Sequence, residues 1–390
     1  MSRASDRRFH ALLALARALP LLATCGSAAA VADPPAAPVP VAAPFDATPT
    51  AADPRWSVMA HSAASPGSGV SNYARISFAD QGGDFDPCVS KDGSHLVFAS
   101  TRHRASADIY AQAVGGRAVT QLTDNPADDV MPALSPDGEW IAFASNRSGS
   151  WDLFVMPAGG GKAVQVTSDP ADELHPSWSP DGAELVFCRR GEASGKWELW
   201  TTSPGKPGVC RSIGYGLFPR WCPTPGPDGT HRIVYQQSRE RGDRAFSIWV
   251  ITLKNGEASS PTEIAAGRDS AFINPTWSPD GLSIAFTEVP SPDRWPAGSG
   301  PASASLWIVA ADGSGPVRLT PGTERALTPT WGTEGLFFVA DRGGVDNIWM
   351  INAAKARATA MVGRGGPDLA AGVPAATPET AQASAPEAPK

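Results

Sequence analysis

The chain has 390 residues, 42% of them apolar and 18% charged, which is enough to build a core and excludes a wholly disordered protein. Its formal net charge is −7, which argues against nucleic acid or another polyanion as the main partner. The 39 glycines and 38 prolines forecast a chain that turns often.

Residues 1–30 read as an export signal. Arg3, Arg7 and Arg8 form a basic start, and Ala11 to Leu22 is mostly apolar despite Arg17. Two processing routes fit. Ala28-Ala29-Ala30 suits signal peptidase, whereas Leu22-Ala23-Thr24-Cys25 resembles a bacterial lipobox that would lipidate Cys25. Arg7-Arg8 before Phe9 has some twin-arginine character. No later segment is long and apolar enough for a membrane span. A periplasmic, cell-surface or secreted product is expected, with any membrane contact made through the lipid. Residues 31–72 are rich in Pro and Ala and read as a linker; residues 356–390, of similar composition, read as a disordered tail.

Residues 73–355 carry a repeat. MPALSPDG, HPSWSPDG and NPTWSPDG start at 131, 175 and 274. Aligned on the proline that opens each phrase, six units begin at Pro87, Pro132, Pro176, Pro219, Pro275 and Pro329, spaced by 45, 44, 43, 56 and 54 residues. Each has a short strand, a turn in which Pro presets φ and Gly accepts a positive φ, and an apolar second strand such as Ile141-Ala142-Phe143. A third strand ends in an aromatic, as in Leu153-Phe154, and a fourth reads Gln165-Val166-Thr167. The second strand is apolar without alternation, which implies burial on both faces. Four such strands per unit predict an all-β, six-bladed β-propeller of antiparallel blades. Arg75-Ile76-Ser77 precedes the first unit much as Gln121-Leu122-Thr123 precedes the second. The N-terminal strand is therefore expected to complete the last blade, close the ring and shield an edge.

The recurring SPDG, Phe98, Phe143, Phe187 and Phe286 of the second strands and the third-strand aromatics resemble the TolB family of six-bladed propellers with WD-like repeats, over roughly Tyr73 to Ile351. No counterpart of that family's N-terminal α/β domain is visible. The resemblance implies a fold and is weak on function.

Candidate chemistry is sparse. Trp178, Trp221, Trp277 and Trp331 share one repeat slot, and Trp200, Trp249, Trp307 and Trp349 another, which marks them for blade packing. Arg102, Arg147, Arg239 and Arg342 share a slot after the second strand. They read as structural ion pairs with the acids opening the third strand, such as Asp108 and Asp152, or as a ring of cations. Cys88, Cys188, Cys210 and Cys222 show no metal spacing and read as scattered thiols. The loops entering the blades (the inlet loops) share a face with those joining second and third strands. Three residues before the opening prolines stand Asp84, Asp129, Glu173, Gly216, Phe272 and Ala326, a set half acidic and half small or apolar. If it rings the channel mouth it would orient a ligand; alternatively its acids cap local turns. The longest insertion, Val289 to Ser305, carries Arg294-Trp295 on the same face, a pair favoured in interfaces.

No Gly-x-Ser-x-Gly, P-loop or His-Glu-x-x-His occurs. The reading is a non-enzymatic, monomeric propeller of the cell envelope that binds a protein or peptide through Asp84, Asp129, Glu173, His175, Phe272, Arg294 and Trp295, without a cofactor. The alternative is a divalent-metal enzyme processing carbohydrate or peptide at the channel mouth through Asp129, Glu173 and His175, with Glu173 and His175 as the ligand pair; the repeats are similar in style to those of oligogalacturonate lyases. A small-ligand sensor or structural module is the third possibility.

Overall fold

A computed structural model describes residues 73–226, 228–238, 246–259, 261–290, 301, 303–342 and 344–354. Its strands form six antiparallel sheets. Blade two shows the pattern: Asp129–Leu134, Trp140–Ser145, Asp152–Pro157 and Val164–Gln165, paired in sequence order. The inner strand of each blade packs on that of the next, and the sixth packs on the first, so six blades form a ring. Blade four departs from four strands. Its long third strand, Phe246–Lys254, pairs with both Glu257–Ala258 and Thr262–Ala265.

The turns follow from local chemistry. In blade two the Ser135 hydroxyl donates to Asp137 Oδ1, and the same oxygen accepts from the Glu139 amide at 3.1 Å. The Ser135 oxygen in turn accepts from the Trp140 amide at 2.9 Å. Blades one, three and five repeat this around Asp92, Asp181 and Asp280. Their glycines Gly93, Gly138, Gly182 and Gly281 have φ between 68° and 77°, where a Cβ is penalised. The second strands are the core, with Phe98, Phe143, Phe187 and Phe286 essentially inaccessible to solvent. Each contributes on the order of 2–3 kcal/mol by burial.

All eight repeat tryptophans join the hydrophobic clusters. Two also staple blades: Trp178 Nε1 donates to the Ala133 carbonyl at 2.9 Å, and Trp277 Nε1 to the Arg220 carbonyl at 3.1 Å, each in the preceding blade.

The outer strand of the sixth blade is Tyr73–Arg75, antiparallel to Asn347–Ile351. The Ile348 amide donates to Ser77 Oγ at 2.9 Å. Thr123, Thr167 and Thr320 accept from the third strands of their own blades in the same way, at 2.8–2.9 Å. Among the described residues Cys88, Cys188, Cys210 and Cys222 are free thiols, with Cys188 and Cys222 buried.

The central channel as a candidate binding site

Each inner strand carries a register irregularity in the middle, as between Phe85 and Cys88 in blade one and Val130 and Ala133 in blade two. The residue before the opening proline falls in it. All six such residues have positive φ: Asp86 (49°), Met131 (56°), His175 (59°), Phe218 (51°), Asn274 (52°) and Thr328 (45°). A residue before proline normally adopts an extended conformation. Asp, Asn and His tolerate the left-handed region best, and a β-branched Thr tolerates it worst. Such strain costs on the order of 1–3 kcal/mol per residue and concentrates where function needs it.

These six residues, Arg220 and the prolines Pro87, Pro132, Pro275 and Pro329 line the central channel, whose enclosed space is about 20 Å³, little more than one water molecule needs. Blades two, three and four supply Met131, His175 and Phe218. Blades five, six and one supply Asn274, Thr328 and Asp86. One half of the lining is therefore aromatic and thioether with the Arg220 guanidinium beside it, the other short and polar. The His175 and Phe218 ring centroids lie 3.6 Å apart. Burial and the Arg220 charge push the His175 pKa well below its usual value, so this imidazole is neutral. The Met131 amide donates to Asp86 Oδ2 at 3.3 Å, and the Asn274 amide to Gln236 Oε1 at 2.7 Å.

The residues expected at the mouth sit two positions upstream, on or just before the inner strands and outside the channel lining. Asp84 and Asp129 are buried in ion pairs. Arg102 Nη2 bonds both oxygens of Asp84 at 2.8 and 2.7 Å, and Arg147 Nη2 bonds both oxygens of Asp129 at 2.8 Å. The guanidiniums also lie over ring pairs, Arg102 5.4 Å from Phe98 and Tyr110, and Arg147 5.5 and 4.7 Å from Phe143 and Phe154. Arg342 pairs with Glu324 and covers Tyr73 and Trp349. These partners lie eighteen residues upstream, Asp84 and Asp129 in the first strand and Glu324 just before it, so the expected pairing with Asp108 and Asp152 is not the one formed; Asp108 bonds Arg104 instead. The pairs are structural: each aspartate is buried, with the Arg102 or Arg147 Nη2 across both its oxygens and a second donor, Ser100 on Asp84 and Asn125 on Asp129.

Glu173 occupies the same position in blade three, where the eighteen-residue offset reaches Gly191 instead of an arginine. It is 1% exposed and neither carboxylate oxygen has a hydrogen-bond partner of normal geometry. Burial, only partly offset by Thr167, raises its pKa to about 7. Its cross-strand neighbour Arg189 is bonded to Asp169 at 2.8 Å instead. Phe272 packs on Phe286, with ring centroids 4.8 Å apart. Arg239, Arg294, Trp295 and Cys25 lie outside the described residues. Among the described residues no three His, Cys, Asp or Glu side chains come together as a metal ion requires. With Asp129 held by Arg147, Glu173 and His175 form at most a pair of donors.

The channel residues Asp86, Met131, Phe218, Asn274, Thr328 and Arg220 were not anticipated from the sequence. Their signal was present as the letter on either side of each opening proline. That letter varies from blade to blade while the proline does not.

Residues 71–209 match the family model for the TolB beta propeller domain, a stretch running from the N-terminal strand into blade three. The structure is similar to a putative TolB from Agrobacterium tumefaciens, with 21% identity and a TM-score of 0.49 over 61% of this chain and 80% of that one. It is similar to an oligogalacturonate lyase from Vibrio parahaemolyticus, with 14% identity and a TM-score of 0.48 over 71% and 92% of the two chains. A third likeness is TolB from Acinetobacter baumannii, with 17% identity and a TM-score of 0.46 over 67% and 64%.

Proposed function

We propose that this TolB-like propeller is an exported, non-enzymatic scaffold of the cell envelope that docks a protein or peptide on the inlet face and at the channel mouth. The observation that carries the reading is the ring of six left-handed residues before proline, which turns one side chain per blade into a common channel. Strain repeated in every blade but decorated differently each time points to recognition, because packing alone would favour one residue type in all six. The split between Met131, His175 and Phe218 and the polar half gives the mouth a direction along which an asymmetric ligand would align. The basic, apolar start of the chain supports export.

Crosslinking in the native envelope tests this. A photoreactive amino acid at Phe272 on the inlet face is expected to capture a discrete partner, and one at Glu139 in an opposite-face turn is not. Equal capture from both faces, or none from either, rejects the reading.

A further inference from the structure

Positions in the seam between blades one and two return 44 residues later in the seam between blades two and three. In the earlier seam Asp108 is met by Arg104 at 3.2 Å, and Asp129 by Arg147 at 2.8 Å. The Asn125 side chain donates to Asp129 Oδ2 at 2.7 Å. In the later seam both acids return, as Asp152 and Glu173, and all three of these partners are exchanged. Arg104 gives way to Ser148, Arg147 to Gly191 and Asn125 to Asp169. Each exchange removes a cation or replaces a donor with an anion.

The effect shows at the two buried acids. Asp152 and Glu173 are each 1% exposed, and Asp152 Oδ1 and both Glu173 oxygens lack a hydrogen-bond partner. One arginine has been gained, Arg189 at the place of Ser145. It bonds Asp169 at 2.8 Å and lies 4.8 Å from the Trp200 ring. Asp172 accepts from the Trp151 amide at 3.3 Å. Buried carboxylate oxygens without donors leave a demand that a cation meets. The place such a cation takes opens to solvent in the other blades: Arg102 and Arg147 fill it in blades one and two, with side chains 12% and 27% exposed.

We infer that the seam between blades two and three receives an arginine or lysine side chain of the docked partner, seated on Glu173 and Asp152 as Arg147 and Arg104 are seated on their counterparts in the preceding seam. Ser194 Oγ and Glu198 Oε1, bonded to each other at 2.7 Å, now stand where a Cβ on Gly191 would be, and they rotate aside to admit it. A guanidinium reaches separate carboxylates from separate nitrogens, whereas among the described residues no three acids converge as a metal ion requires. This deepens the proposed function by giving the partner a basic segment, and it rests on that reading for a protein or peptide as the carrier. A small free cation offers the same chemistry.

The probes are acetyl-Gly-Arg-Gly-amide, the same peptide with citrulline as an uncharged isostere of arginine, and guanidinium chloride. They are titrated calorimetrically into the full-length protein at pH 8, above the values of about 6 and about 7 to which burial raises Asp152 and Glu173. The arginine peptide is expected to bind the wild type at least about tenfold more tightly than the citrulline peptide. Glu173→Gln should erase that difference. Ser148→Arg, at an exposed position, gives Asp152 the partner that Arg104 gives Asp108 and should weaken the arginine peptide about tenfold; it carries the test alone if Glu173→Gln fails to fold. Glu192→Gln, at an exposed acid of the neighbouring hairpin loop, should keep the preference. Guanidinium competing with the arginine peptide at equal strength assigns the seam to small cations; weaker competition assigns it to a peptide side chain. Equal affinity for the two peptides, retention of the preference in Glu173→Gln, full affinity in Ser148→Arg, loss in Glu192→Gln, or no saturable binding by about 10 mM overturns the inference. Envelope crosslinks undiminished in Glu173→Gln would sink the cation seat and leave the docking function standing. Binding of the arginine peptide without any captured partner would do the reverse.

Discussion

Glu173 shows what a single residue does when its partner is missing. Asp84 and Asp129 are each met by an arginine eighteen residues on. Glu173 has the same burial and no such arginine, so it holds its proton up to about pH 7. Asp108 and Asp152 are also raised by burial, to about 6. An unfolded glutamate releases its proton near 4.3. Between these values the folded state binds more protons than the unfolded one, so stability falls as pH rises through the window. Thermal unfolding at pH 5 and pH 8 should show the wild type more stable at pH 5. Glu173→Gln should remove on the order of 2–3 kcal/mol of that difference. A pH dependence unchanged by the substitution would mean that Glu173 is ionised in the fold.

Among the elements, the inner-strand hairpin is the most legible. Its turn is encoded within four letters, and the Asp that closes it is held below its ordinary pKa by the Ser hydroxyl, as at Asp137 and Asp181; Asp92 falls to about 2 under the hydroxyls of Ser90 and Ser94. The sign is opposite to that of Glu173. The stabilisation is present above pH 4 and is lost as pH falls through the folded value. These carboxylates are largely exposed, so each contributes little. Asp137→Ala should cost about 0.5–1 kcal/mol at pH 7 and less at pH 2, as denaturant titrations at the two pH values would show. The rest of the inner strand was less legible. Its first residue was expected to reach the channel, but the bulge gives that place to the residue two positions on. A bulge depends on the partner strand and the neighbouring blades, and these are not written in the strand's own letters.

For the whole molecule, the seam between the two ends of the ring matters most. Ser77 and Ile348 are 271 positions apart, so their hydrogen bond forms only when all six blades are in place. Ser77→Ala leaves the Ile348 amide buried and unpaired and should lower unfolding free energy by about 1–3 kcal/mol, while Ser77→Thr, imitating Thr123, Thr167 and Thr320, should behave as wild type. Chemical denaturation followed by tryptophan fluorescence measures both. Equal loss in the two variants would show that the serine is needed for its size and not for its oxygen.

By itself the sequence determined the number of blades, the turns and the buried slots. These depend on short-range rules: proline and glycine dihedrals, apolar runs and a period that repeats. It also held the two irregularities that matter, Gly191 where an arginine was due and Arg220 where a small residue was due. Tertiary structure alone decided their meaning. Whether Asp84 is a free anion or half of an ion pair depends on where Arg102 lands. Whether Arg220 is a surface charge or part of the channel lining depends on six inner strands meeting around one axis. Burial and pairing are properties of the closed ring, and no stretch of the chain carries them alone.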